Sequence, residues 1–212
     1  MKEAIQFKQY KIFTPEMALK MEPGKLMGIA TQASALINKL GGEHMFHPPP
    51  EALCAYLQAG MACYAVDTEG NLGGFIKVDP WLCYPGGIPE KPDDNIVGKL
   101  NAIETGNATL GILETGSLVV DPKDQNHGLG TELKKQMATQ ASVHFPGVPV
   151  IAVITNDNGP SLHNNIKLGW IPIDNSILCK ITGIDVLDGW VPESTIFVSP
   201  ESIASLSLST VN

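Results

Sequence analysis

Hydrophobic and polar positions alternate with a period that changes along the chain. Between residues 25 and 40, Leu26, Ile29, Ala30, Ala33, Leu36, Ile37 and Leu40 recur at three- and four-residue spacing. That spacing puts them on one helical face, and Gly41-Gly42 ends the pattern. Upstream, Ile5, Phe7, Ile12 and Phe13 suggest a first strand within 3–13. Thr14-Pro15-Glu16 reads as a helix start, with Thr as N-cap, Pro in the first turn and an acid behind it. Pro23-Gly24 breaks that segment, and Pro48-Pro49-Pro50 introduces a short helix over Glu51–Ala59.

The period then shortens. Ala62–Val66 and Leu72–Val78 flank Asp67-Thr68-Glu69-Gly70-Asn71, which predicts a β-hairpin. Residues 80–111 hold four prolines and little periodicity and read as a long loop or small insertion. Ile112–Val120 predicts a strand, 128–144 a helix, 148–155 a buried strand and 161–168 a helix capped by Gly169. Trp170–Ile173 and Ile177–Ile181 read as closing strands, and the Ser-rich residues 199–212 as a frayed tail. There is no internal repeat. These elements predict one α/β (or α+β) domain with a mixed sheet over residues 1–198.

Composition narrows the function. Fourteen Lys and Arg against 22 Asp and Glu give a net charge of -8 over 212 residues. Nucleic-acid binding needs a cationic surface, so that class is disfavoured. The four cysteines form no Cys-x-x-Cys pair, and His44 and His47 lack further ligands, so no metal is expected. The N-terminus lacks a secretory core, and no apolar run is long enough to span a bilayer. A reduced cytoplasmic protein with no membrane partner is the expectation.

The informative segment is Leu118-Val119-Val120-Asp121-Pro122-Lys123-Asp124-Gln125-Asn126-His127-Gly128-Leu129-Gly130-Thr131. A strand ends, a polar turn follows, and a helix opens at Gly-x-Gly. The free amides of a first helical turn point at one spot and, with the helix dipole, suit an anion such as a pyrophosphate. No Gly-Lys-Ser/Thr follows, which excludes a Walker loop, and Leu133 stands where the third Rossmann glycine would be.

Gln125-x-x-Gly128-x-Gly130 after a strand resembles the acyl-CoA pyrophosphate motif of the GNAT N-acetyltransferase superfamily, Gln/Arg-x-x-Gly-x-Gly/Ala. A second match follows downstream. Asn158 takes the place of the Asn in that family's Asn-x-x-Ala helix, Ser161 the small-residue place, and Leu168-Gly169-Trp170 the closing Leu-Gly-Phe. The resemblance covers roughly residues 62–182. It implies a GNAT fold and transfer of an acetyl group from acetyl-CoA to a primary amine, on a small molecule or a peptide or protein. Direct attack in a ternary complex is implied, because the cysteines Cys54, Cys63, Cys83 and Cys179 all look structural. Homodimers are common in the family, but nothing in this sequence specifies one.

The resemblance also implies roles. Leu118, Val119, Val120, Gln125, Asn126, His127, Gly128, Leu129, Gly130, Thr131, Asn158 and Ser161 would hold the cofactor. Its pantetheine arm would lie between strands Ser117–Val120 and Ile151–Thr155. The Val120 amide, or a neighbour's, would polarise the thioester carbonyl. Glu114 would deprotonate the amine, although between Leu113 and Thr115 it could face either side of the sheet or be a paired surface acid. Asn165 stands where many members carry a Tyr acid; an amide can hydrogen-bond to sulfur but not donate a proton. His163 is offset from that place by two positions. A catalytically weak acyl-CoA-binding module is therefore the alternative, and an unrelated nucleotide binder a third reading. Trp81 and Tyr84 could line an acceptor pocket or pin their loop, and Asp93 and Asp94 could attract a cation or be solvated.

Overall fold

A computed structural model of the chain describes residues 4–41, 47–86, 88–90, 95–188, 193–203 and 206. In chain order the elements are β1 (Ile5–Phe7), β2 (Tyr10–Phe13), α1 (Pro15–Ala18), α2 (Pro23–Leu40), α3 (Pro50–Gln58), β3 (Ala62–Val66) and β4 (Leu72–Tyr84). They continue with β5 (Ile88–Glu90), α4 (Ile96–Glu104), β6 (Thr109–Val120), α5 (Leu129–His144), β7 (Val150–Thr155), α6 (Gly159–Lys167), β8 (Ile171–Ile173), α7 (Asn175–Thr182) and β9 (Ser194–Val198). The mixed α/β class expected from the sequence is what forms, with helices flanking a mixed sheet.

Contacts divide the chain into two units. One comprises residues 1–78, 94–97 and 116–140; the other comprises 79–93, 98–115 and 141–212. Strands β4 and β6 and helix α5 each run from one unit into the other. In the first unit, β1, β2, β3 and β4 follow one another antiparallel. The end of β6 joins β4 through Asp121 N–H to the Gly73 carbonyl at 2.9 Å. Helix α2 buries Leu26, Ile29, Ala30, Ala33, Leu36 and Ile37, the stripe its sequence predicts, and packs on α3. Pro23 separates α1 from α2, as expected, and sits in the first turn of α2, where its missing N–H costs nothing. The single early strand becomes a hairpin turning at Lys8-Gln9, and Thr14 takes the N-cap place without a side-chain cap bond.

In the second unit β6 runs parallel to β7, and β7 and β8 both pair antiparallel with β9. Its core gathers Trp81, Ile112, Ile151, Leu178, Ile184, Val186, Ile196, Val198 and Leu206. Three expectations change here. Residues 80–111 are not a loop: β4 continues to Tyr84, pairs with β5, and α4 follows. Residues 177–181 are helical, because Asp174 caps Ser176 N–H and Gly183 closes the helix at φ +74. The closing strand is β9 instead. The expected frayed tail begins as structure: Ser202 is buried and its Oγ accepts from Val150 N–H at 2.9 Å. No described helix is long and apolar enough to cross a membrane.

Candidate functional site

In the first unit, β6 ends at Val120, and Pro122–Asp124 make one turn of 3-10 helix before α5. Asp121 caps this turn by accepting from Lys123 N–H at 3.0 Å. Gln125 Nε2 donates to the Val120 carbonyl at 3.1 Å, tying the turn back to the strand end. Asn126 and Gly128 both have positive φ, 61° and 86°. These conformations turn the chain sharply into α5, and the glycine takes its own at no steric cost. Gln125, Asn126 and His127 are exposed, and Gly128, Gly130 and Thr131 are half-buried around the first turn of α5.

The side chains around the turn divide between surface and core. Leu129 is 1% exposed and Val119 5%, so their side chains are core and only their backbones remain available. Gly130 faces the strand, not the open side of the turn: a Cβ there would lie 3.3 Å from Val120 Cγ2 and 3.9 Å from Leu118 Cδ2. Gly74 makes the same helix–strand approach possible, since its Cβ would meet Leu133 Cδ1 at 2.8 Å and the Val119 carbonyl at 3.1 Å. Backbone groups of successive strand residues point to opposite edges. Asp121 N–H bonds β4, so the Val120 N–H and C=O lie on the other edge.

In the second unit, Glu114 settles onto one face. Its Oε2 accepts from Trp81 Nε1 at 2.8 Å, and Trp81 belongs to the core cluster with Ile112, two residues before Glu114. Thr115 faces the opposite side, its Oγ1 donating to the Ile151 carbonyl at 3.0 Å. The recorded pairing of β6 with β7 comprises Leu113 with Val150 and Glu114 with Ile151, whereas β7 pairs with β9 through Thr155. Ser117, further along β6 in the first unit, has φ 50, which interrupts a regular ladder.

Helix α6 opens with Asn158 accepting from Ser161 N–H at 3.2 Å, so Asn158 is its N-cap. Asn165 departs from expectation. It is fully buried, its Nδ2 donates to the Ser161 carbonyl at 2.8 Å, and its Oδ1 has no partner. Its side chain has no accessible surface in this structure and is packed as interior. His163 is exposed on the same helix. Trp81 is a strand residue in the core, not a loop aromatic. Tyr84 ends β4 half-buried. Asp93, Asp94 and His44 lie outside the described residues, while His47 Nδ1 meets Asn38 Oδ1 on the surface.

All four cysteines are free thiols, Cys54 and Cys63 buried and Cys83 and Cys179 partly so. Burial raises the Cys63 thiol well above its ordinary range, so it is no nucleophile. Among the described residues no group of acidic, His and Cys side chains could hold a metal. Two features escaped sequence reasoning. Lys8 Nζ donates to the His127 carbonyl at 2.7 Å across 119 residues. Lys134 is buried in α5, and burial pushes its pKa down to about 7. Neither carries a local sequence signal, because both depend on what packs around the turn and its helix.

No protein-family model and no curated protein matches the chain. Solved structures do. A GNAT family N-acetyltransferase from Escherichia coli, YhbS, in complex with CoA, aligns over 97% of this chain and 88% of its own at 15% identity, TM-score 0.51. Arabidopsis thaliana NAA60 in complex with acetyl-CoA aligns over 89% and 96% at 13% identity, TM-score 0.52. N-acetylglutamate synthase from Neisseria gonorrhoeae, with coenzyme A and N-acetyl-glutamate, gives 16% identity and TM-score 0.56 over 92% of this chain and 35% of that one. This chain thus spans about a third of that synthase. At such identities the likeness is one of fold: the chain has the fold of GNAT acetyltransferases.

Proposed function

We propose that the protein transfers an acyl group from acetyl-CoA to a primary amine, and the observation that carries this reading is the β6–α5 turn. Its anchored geometry, two positive-φ residues and a sixteen-residue helix behind it supply oriented N–H donors for an anion. That donor set fits the pyrophosphate of an acyl-CoA, and it suits a chain of net charge -8 that has few cations to spare. By resemblance to GNAT proteins, an extended pantetheine arm would pair with Ile151–Thr155 as an added strand.

Bound acetyl-CoA supplies a thioester already activated toward acyl transfer. The chain contributes position and charge stabilisation. The Val120 N–H, on the edge away from β4, donates to the carbonyl oxygen. Glu114 takes the amine proton, directly or through water, with Trp81 fixing its carboxylate. The departing thiolate takes its proton from solvent, since Asn165 is interior.

Asn165 also favours a second reading, an acyl-CoA-binding module that turns over slowly. One experiment separates the two. Thermal stabilisation is measured with acetyl-CoA, CoA and ATP, followed by thiol release with a panel of polyamines, amino acids and peptide N-termini. Stabilisation by both CoA species with thiol release on at least one amine supports the transferase. Stabilisation without release on any amine supports the module, and no response to either CoA species removes both.

A further inference from the structure

The N-terminal hairpin touches the β6–α5 turn at three places that acyl transfer itself does not use. Lys8, at the hairpin tip with φ 53, holds the His127 carbonyl through the 2.7 Å bond described above. Phe7 Cζ lies 3.6 Å from where a Cβ on Gly128 would project. Deeper in, Tyr10 and Asp124 converge over Gly73: a Cβ there would lie 2.8 Å from Tyr10 Cε1 and 3.2 Å from Asp124 Oδ2.

Both converging side chains are interior, Tyr10 at 1% exposure and Asp124 at 3%. The Tyr10 hydroxyl accepts from Gln9 Nε2 at 2.8 Å, which leaves its own proton to give, and the Asp124 carboxylate converges with its ring over Gly73. Burial first, and Asp124 second, raise the hydroxyl pKa to about 12, so the phenol stays protonated as a donor. Asp124 Oδ2 is buried without a hydrogen-bond partner, with the Tyr10 ring beside it over Gly73. A carboxylate buried this far is costly unless a donor holds it. Asp124 closes the 3-10 turn, its N–H bonded to the Asp121 carbonyl at 2.8 Å, one residue before Gln125. Whatever holds Asp124 therefore sets where the amides of residues 126–131 point.

We propose that Tyr10 and Asp124 are positioning residues for the anion-binding turn, with Lys8 as an outer brace, so that the β1–β2 hairpin presets the cofactor site. The identity of the anion rests on the acyl-CoA reading; the brace does not. Tyr10→Phe removes one hydroxyl and little volume, and Asp124→Asn removes the charge.

Two readouts on the full chain test this. In ligand-free protein, hydrogen exchange at the amides of 126–131 should quicken about tenfold in Tyr10→Phe, with α2 and α3 unchanged. The Kd for CoA should rise about tenfold, the KM for the amine should not move, and the double variant should be no worse than the more affected single one. The exposed Lys8→Met variant keeps the test available if an interior variant folds poorly; it should quicken exchange at 127 and 128. Unchanged exchange across the turn in all variants overturns the proposal, and so does exchange that quickens equally throughout the unit. If the wild type binds no CoA, exchange still decides the brace, and only the acyl-CoA reading falls.

Discussion

Trp81 donates its indole N–H to Glu114 Oε2 at 2.8 Å, from a ring only 5% exposed. A carboxylate that accepts such a bond is held in one orientation. If Glu114 is the base, Glu114→Gln should lower the acetylation rate about 10²-fold or more at neutral pH and recover as rising pH deprotonates the free amine. Trp81→Phe should lower the rate across the profile, because losing the N–H frees the Glu114 carboxylate from its fixed orientation. Rates measured from pH 6 to 10 check both, and a wild-type profile in both variants would remove Glu114 from the chemistry.

The turn glycines separate backbone conformation from packing. Gly128→Ala forces a side chain into φ 86, costing about 1–2 kcal/mol locally. Its effect should appear chiefly as weaker CoA binding by titration calorimetry. Gly74→Ala drives a methyl group toward Leu133 Cδ1 and the Val119 backbone. It should lose about 1–3 kcal/mol of global stability in urea. Gly130→Glu should act through the same strand packing as well as through the cofactor, since its Cβ direction faces Val120.

Asn165 provides a test against the family pattern. Asn165→Ala should lower the melting temperature, leaving the rate per folded molecule near wild type, because the side chain is wholly interior. Asn165→Tyr should not restore an acid but overpack the site, at about 1–3 kcal/mol. A tenfold loss of rate at unchanged stability in the alanine variant would return Asn165 to the mechanism.

Lys134 makes stability depend on pH. Burial lowers its pKa from 10.5 to about 7, so between those values the unfolded chain binds more protons than the folded one. Stability from this group therefore rises with pH from 7 toward 10 and is lost as pH falls through 7. Urea midpoints at pH 7, 8 and 9 should climb in the wild type and climb less in Lys134→Met.

The first residues after β9 are predicted to matter for folding. Ser202→Ala removes the acceptor for Val150 N–H and should cost about 1–2 kcal/mol. Truncation after residue 198 should cost more than truncation after 206, because Leu206 belongs to the second unit's core. Thermal melts of the two truncations provide the comparison.

Local chemistry alone determined a good deal here. The stripe of α2, the hairpin of β3 and β4, the polar turn into α5 and the Asn158 cap are encoded by residues within a few positions of one another, so they can be read directly. The reading broke down where distant partners decide. Residues 177–181 are apolar enough for a strand, and the Asp174 and Gly183 caps make them a helix. Residues 80–84 show no alternation because β4 is buried on both faces as far as Leu82. Which way Glu114 points waited on Trp81, 33 residues earlier. Asn165 aligns with a catalytic place yet points inward, and the Tyr10–Asp124 pair spans more than a hundred residues. Sequence spacing sets which face of an element a side chain occupies, but only tertiary packing decides what lies against that face and whether water or a ligand can reach it.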